Sequence, residues 1–110
     1  MPNSDAKNNA HLSIKLIDRD LYLNGSAQAI KLRPKEARLV AVMLSTPNQV
    51  VSRATLMQKV WQTDFLDDTR TLDVHISWLR RKIEDNPTHP RRLITVRGVG
   101  YCLIVEKQRG

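Results

Sequence analysis

The sequence predicts an α+β domain: a small antiparallel sheet, then three helices, then a C-terminal β-hairpin. Three observations carry this. Apolar and polar residues alternate in the runs between positions 12 and 32, the period of half-buried strands, and two short apolar runs follow late in the chain, Leu93 to Val96 and Tyr101 to Val105. Between those stretches the period becomes helical, most cleanly at Leu72, Ile76, Leu79 and Ile83, spaced four, three and four. Gly98 and Gly100 separate these last two runs, where a tight hairpin tip calls for positive φ.

The opening residues 1–11, MPNSDAKNNAH, are polar and without period, and read as a flexible tail or linker end. The folded domain is expected over 12–105, with 106–110 as a C-terminal tail. Leu12, Ile14 and Leu16 form the first strand. Leu21 and Leu23 form the second, across a turn of Asp18, Arg19 and Asp20. Asn24-Gly25 signals the next turn, before a weaker third strand at Ala29, Ile30 and Leu32. In LRPKEARLVAVMLSTPNQ, Pro34 suits a first helical turn, because its missing N–H has no partner there in any case. Leu39, Val40, Met43 and Leu44 make the apolar stripe, and Thr46-Pro47-Asn48 stops the helix. Val50-Val51 reads as no more than an extended bridge. Ser52 is a good N-cap for the second helix, RATLMQKVW, with Leu56, Val60 and Trp61 inward. The third helix runs over about 69–85, with Asp68 and Thr69 both suited to the cap and Asn86-Pro87 as its end. The hairpin comprises Leu93 to Val96, the tip Arg97-Gly98-Val99-Gly100, and Tyr101 to Val105.

Length and charge narrow the functional class. The 110 residues suit one domain with a core of its own. Eighteen basic residues against eleven acidic ones give a formal charge of +7, which favours a polyanionic partner, nucleic acid first. The excess lies late in the chain: from Arg70 to Tyr101 there are seven Lys or Arg and three Asp or Glu, against nine and seven in the first 69 residues. No apolar run is long enough to span a membrane, and the N-terminus lacks the apolar stretch of a secretory signal, which fits cytoplasmic residence. A single cysteine, Cys102, excludes a disulfide framework. His11, His75 and His89 lack zinc-ligand spacing. The Gly98-Val99-Gly100 run has no helix after it and fails as a phosphate loop. Nothing here supports an enzyme, a metal or a cofactor.

The third helix carries the functional argument. Away from its apolar stripe it shows Arg70, Val74, Ser77, Trp78 and Arg81, an odd set for a merely solvated face. Two helices, the second of them amphipathic and basic, followed by a hairpin, fit a helix-turn-helix with a wing. The connection, Gln62 to Asp68, exceeds the compact four-residue turn. Such a helix enters the major groove, where arginines meet phosphates and base edges and a Val74 methyl meets thymine. Arg97 at the hairpin tip suits the minor groove or the backbone. Asp73, in the helix's first turn, suits an organiser that holds Arg70 or a neighbouring arginine, or accepts from a cytosine amino group. Trp78 has two readings, beside DNA or packed against the wing.

LRPKEARLVAVMLSTPNQVVSRATLMQKVW, DDTRTLDVHISWLRRKIEDNP and RLITVRGVGYCL, in this order, closely resemble the winged-helix DNA-binding effector domain of two-component response regulators of the OmpR and PhoB class. The resemblance covers about residues 12–105. It implies sequence-specific binding to double-stranded DNA for transcriptional regulation, with Arg70, Thr71, Asp73, Val74, Ser77 and Trp78 facing DNA. Arg80 and Arg81 fall at basic positions near the backbone, and Arg97 falls at the minor-groove arginine. It also implies that the loop Gln62, Thr63, Asp64, Phe65, Leu66, Asp67 and Asp68 meets RNA polymerase, that two domains bind direct repeats in tandem, and that a receiver domain belongs to the full-length protein. The chain alone is expected to be monomeric, and is either a C-terminal domain cut from such a protein or a stand-alone one. Two departures stand out: Trp78 replaces a frequent family arginine, and only three strands precede the first helix where the family usually has four. The competing reading is a winged-helix module that binds protein through the third helix and wing.

Overall fold

The computed structural model describes residues 12–64 and 68–106. Strands β1 (Ile14–Ile17), β2 (Asp20–Leu23) and β3 (Ile30–Lys31) form an antiparallel sheet in that order. Ile14 pairs with Leu23 and Leu21 with Ile30, so Ile14, Leu16 and Leu21 face the core while Lys15 faces solvent. Asn24 and Gly25, at φ 52° and 77°, make the turn after β2. The expected third strand is shorter than the alternation suggested. Leu32 leaves the sheet and is buried in the core.

Helix α1 (Pro34–Ser45) has proline in its first turn, and Leu39, Val40 and Met43 are buried. Strand β4 (Val50–Ser52) follows. The short Val50-Val51 segment is more than a bridge: it pairs with the wing, in the order β4-β6-β5. Three residues carry too little pattern to declare a strand; the partner that makes it one lies fifty residues on. The Ser52 hydroxyl accepts from Thr55 N and opens α2 (Arg53–Leu56), which widens into a π-turn over Met57–Trp61. Gln62, in the left-handed conformation at φ 57°, ends it. Leu56, Met57 and Val60 are buried, and Trp61 is half-buried against the core.

Helix α3 (Arg70–Ile83) buries Leu72, Ile76, Leu79 and Ile83, each contributing about 1.5–3 kcal/mol of transfer free energy. Its end comes before Asn86-Pro87. Glu84 turns extended, and its carboxylate accepts the backbone N–H groups of Arg91, Arg92 and Leu93 at 2.7–3.2 Å. That clamp starts β5 (Leu93–Val96), which pairs with β6 (Gly100–Leu103), Val96 opposite Gly100. Only Gly98 takes positive φ at the tip, at 78°. Gly100 is needed for another reason: a Cβ there would collide with the Val51 and Ser52 backbone. Among the described residues the N-terminal sheet has three strands.

Candidate nucleic-acid interface

With 3.6 residues per turn, α3 sorts into a buried stripe, an opposite row and two flanks. The opposite row is Arg70, Val74, Ser77 and Arg81. All four are exposed, Val74 at 42%. One flank, with Asp73 and Arg80, meets the wing. The other, with Thr71, His75, Trp78 and Lys82, meets α1 and the end of α2.

On the wing side, Asp73 accepts from Arg53 Nη1 at 2.9 Å and Nη2 at 3.0 Å, and from the Tyr101 hydroxyl at 2.7 Å. This joins the starts of α2 and α3 to β6. The Arg53 guanidinium holds the Asp73 carboxyl below its usual range, and Asp73 in turn raises Arg53. Burial, with Asp73 beside it, pushes the Tyr101 phenol up. The arginine on Asp73 is therefore Arg53, twenty positions upstream, and not Arg70. The sequence offered one hint, the Ser52 cap that puts Arg53 at the head of α2. Nothing local pointed it at α3. Arg80 donates to the Leu93 carbonyl at 2.8 and 3.0 Å and to Thr95 Oγ1 at 2.8 Å, so its guanidinium fastens α3 to β5.

The α3 N-terminus combines both expected caps. Thr69 occupies the cap position and its carbonyl accepts the first helical N–H groups, while Asp68 Oδ1 accepts from Arg70 N at 3.0 Å. Asp68 also binds the Arg70 side chain at 2.8 and 2.9 Å, which lowers its carboxyl to about 2. Arg70 is thus exposed but paired. Gln62, Thr63 and Asp64 are described; Phe65, Leu66 and Asp67 lie outside the described residues. So do residues 1–11 and 107–110.

On the far flank, the His75 ring lies 5.1 Å from Trp61 and 4.8 Å from Trp78, with its Nδ1 2.7 Å from the Thr71 carbonyl. Arg33 stacks over the Trp78 ring at 4.2 Å. Trp78 is half-buried, and the contacts on its ring come from Arg33 and His75. Lys82 reaches the fully buried Glu36 at 2.6 Å, pinning α3 to α1. Arg97 is exposed at the tip, and no described residue forms a hydrogen bond or ion pair with its side chain. Val99 beside it is 49% exposed.

A helix pair with the second helix exposing one uncovered row, and a hairpin fastened to its flank, is a winged helix-turn-helix. Residues 27–103 match the family model for "Transcriptional regulatory protein, C terminal". The chain belongs to this family, the OmpR/PhoB-type DNA-binding effector domains of response regulators. It is 47% identical over 88 residues to a probable transcriptional regulatory protein of a Picosynechococcus species, covering 80% of this chain and 35% of that one. It is 44% identical over 90 residues to the alkaline phosphatase synthesis transcriptional regulatory protein SphR of Synechococcus elongatus, covering 82% and 35%. The RstA DNA-binding domain of Klebsiella pneumoniae, solved in complex with the RstA box, superposes with a TM-score of 0.72 at 29% identity, covering 84% and 90%. The chain spans 35% of the length of either curated relative. The matched family is one of transcriptional regulators. Among the described residues no helix is long and apolar enough to cross a membrane, and no His, Cys, Asp and Glu cluster could hold a metal ion.

Proposed function

We propose that α3 reads the major groove of double-stranded DNA while Arg97 enters the neighbouring minor groove. The observation that carries the reading is the row Arg70, Val74, Ser77 and Arg81, exposed along one face and unused by the core. Its chemistry suits a duplex: Val74 can meet a thymine methyl, the arginines guanine or phosphate, and Ser77 a base edge or phosphate. Thr71 and Trp78 border this row. Asp73 and Arg80 act mainly by fixing α3 to α2 and the wing. The functional unit is residues 12–105. It serves in the cytoplasm as the output of a phosphorelay protein, with a receiver domain in the larger part of the relatives' length that this chain does not match. Two copies bind direct repeats in tandem, and the segment Gln62 to Asp68 meets RNA polymerase.

Exposed Val74 and Val99 favour a second reading, a protein-binding face. Fluorescence anisotropy with a duplex selected by this protein from a randomised pool, titrated with salt, separates the two. DNA binding should weaken linearly in log–log form through counterion release. Arg97→Ala should flatten that slope by about one if Arg97 holds a phosphate. If it lies in the minor groove, the variant should instead lose its preference among A·T-containing flanks. Salt-insensitive binding, or an Arg97→Ala variant unchanged in both respects, would overturn the reading.

A further inference from the structure

We propose that Arg33, at the head of α1, is a phosphate-contacting residue of the DNA interface and that Trp78 positions it. This rests on the major-groove reading of α3. Position 33 is the N-cap of α1, where Ser, Thr, Asp or Asn would supply an acceptor. A guanidinium has none, and it makes no side-chain cap. The N-terminus is served from the other direction, by Glu36 Oε1 accepting from Arg33 N at 2.7 Å. The guanidinium is thus left to engage something else, and it stands 4.2 Å over the Trp78 ring.

Its charge is not consumed inside the fold. The contact to Glu36 Oε2 is long, at 3.4 Å, whereas Lys82 holds Glu36 Oε1 at 2.6 Å. The Arg33 side chain remains 54% exposed. A guanidinium held over an indole by cation–π attraction does not use its N–H donors in that contact, and their planar fork matches a phosphate.

Placement supplies the partner. Trp78 lies on the α3 flank opposite the wing, next to the exposed row. The major groove is about 12 Å wide and a helix with its side chains about 10–12 Å across. A helix seated there has a phosphate wall along each flank. The wing and Arg53 stand toward one wall; Arg33 on Trp78 stands toward the other. Trp78, its ring lying under Arg33, works through that arginine and reads no base with the covered face.

The test uses the full chain, a random-sequence duplex and the selected duplex, with salt titrations and thermal unfolding for each variant. Arg33→Gln should reduce the slope of log K against log salt by about 0.9 on both duplexes, with equal fold losses, because a phosphate contact carries no sequence information. Trp78→Ala should give the same change, and Arg33→Gln should then add nothing to it. Arg33→Lys, which keeps charge without the planar stack, should fall between. A lower melting temperature for Arg33→Gln with an unchanged slope would overturn the proposal and leave Arg33 a structural residue. So would a loss confined to the selected duplex, which marks a base contact. Val74→Ala and Arg97→Ala keep the two levels apart: if they lose binding while Arg33→Gln does not, only this inference falls; if none does, the major-groove reading falls as well.

Discussion

Asp73→Asn tests whether the recognition helix is aimed by its own fold. Asp73 accepts three hydrogen bonds, two from Arg53 and one from Tyr101. Asparagine keeps the shape but turns an amide donor toward donors. The Asp73 side chain is 47% exposed and that of Arg53 34%, so water screens the pair strongly. Its worth is near the exposed-pair range, about 0.2–1 kcal/mol, with the tyrosine bond adding about 0.5–1.5 kcal/mol. A loss of about 1–2 kcal/mol is expected, and each kcal/mol lowers the melting temperature of a domain this size by about 4 °C. The effect on binding should be separable. With α3 less firmly held to α2 and the wing, the ratio of selected to random-duplex affinity should fall. Random-duplex affinity should hold or rise, since a negative charge near phosphates is gone. Acid reproduces the perturbation. A folded carboxyl held below the ordinary value of about 3.9 means the ionised form is the one the fold favours. Its contribution is complete above about pH 4 and is lost as pH falls through the lower folded value. Binding between about pH 5 and 8 should therefore not report this group. A uniform affinity gain on every duplex, with discrimination and melting temperature intact, would refute the reasoning.

Gly100→Ala should destabilise by about 1–3 kcal/mol or more, because its Cβ meets immovable backbone of Val51 and Ser52. Gly98→Ala, in open space, should cost only the positive-φ strain of about 1–2 kcal/mol, and urea melts of both would show the order. Glu36→Gln, at a fully buried carboxylate bound to Lys82, should lose about 1–3 kcal/mol in the same assay; a change below about 0.5 kcal/mol would show that this link is not structural. Trp78→Ala should cost about 1 kcal/mol of stability, as for a side chain at the margin of the core, and a loss above about 3 kcal/mol would instead mark it as a core aromatic.

The sequence by itself determined the order of elements and the inward stripe of α3. Leu72, Ile76, Leu79 and Ile83 declare their face by spacing alone, since helical geometry is local. The wing was legible as well, from two short apolar runs, Leu93 to Val96 and Tyr101 to Val105, on either side of a glycine-bearing turn. The motifs for the family were contiguous and therefore readable. What only the tertiary structure decided involves groups far apart in sequence. Val50–Ser52 becomes a strand because β6 lies beside it. Gly100 is required by the backbone of Val51, not by its own φ. Arg80, which looks like a free cation on a basic helix, is fastened to β5, and Asp73 is answered by Arg53 from another helix. Trp78, with two sequence readings, stacks with Arg33 from the head of α1, forty-five positions upstream. Periodicity tells which side of an element is dry. It says nothing of which distant polar group arrives at its flank, because that depends on how the packed elements cross.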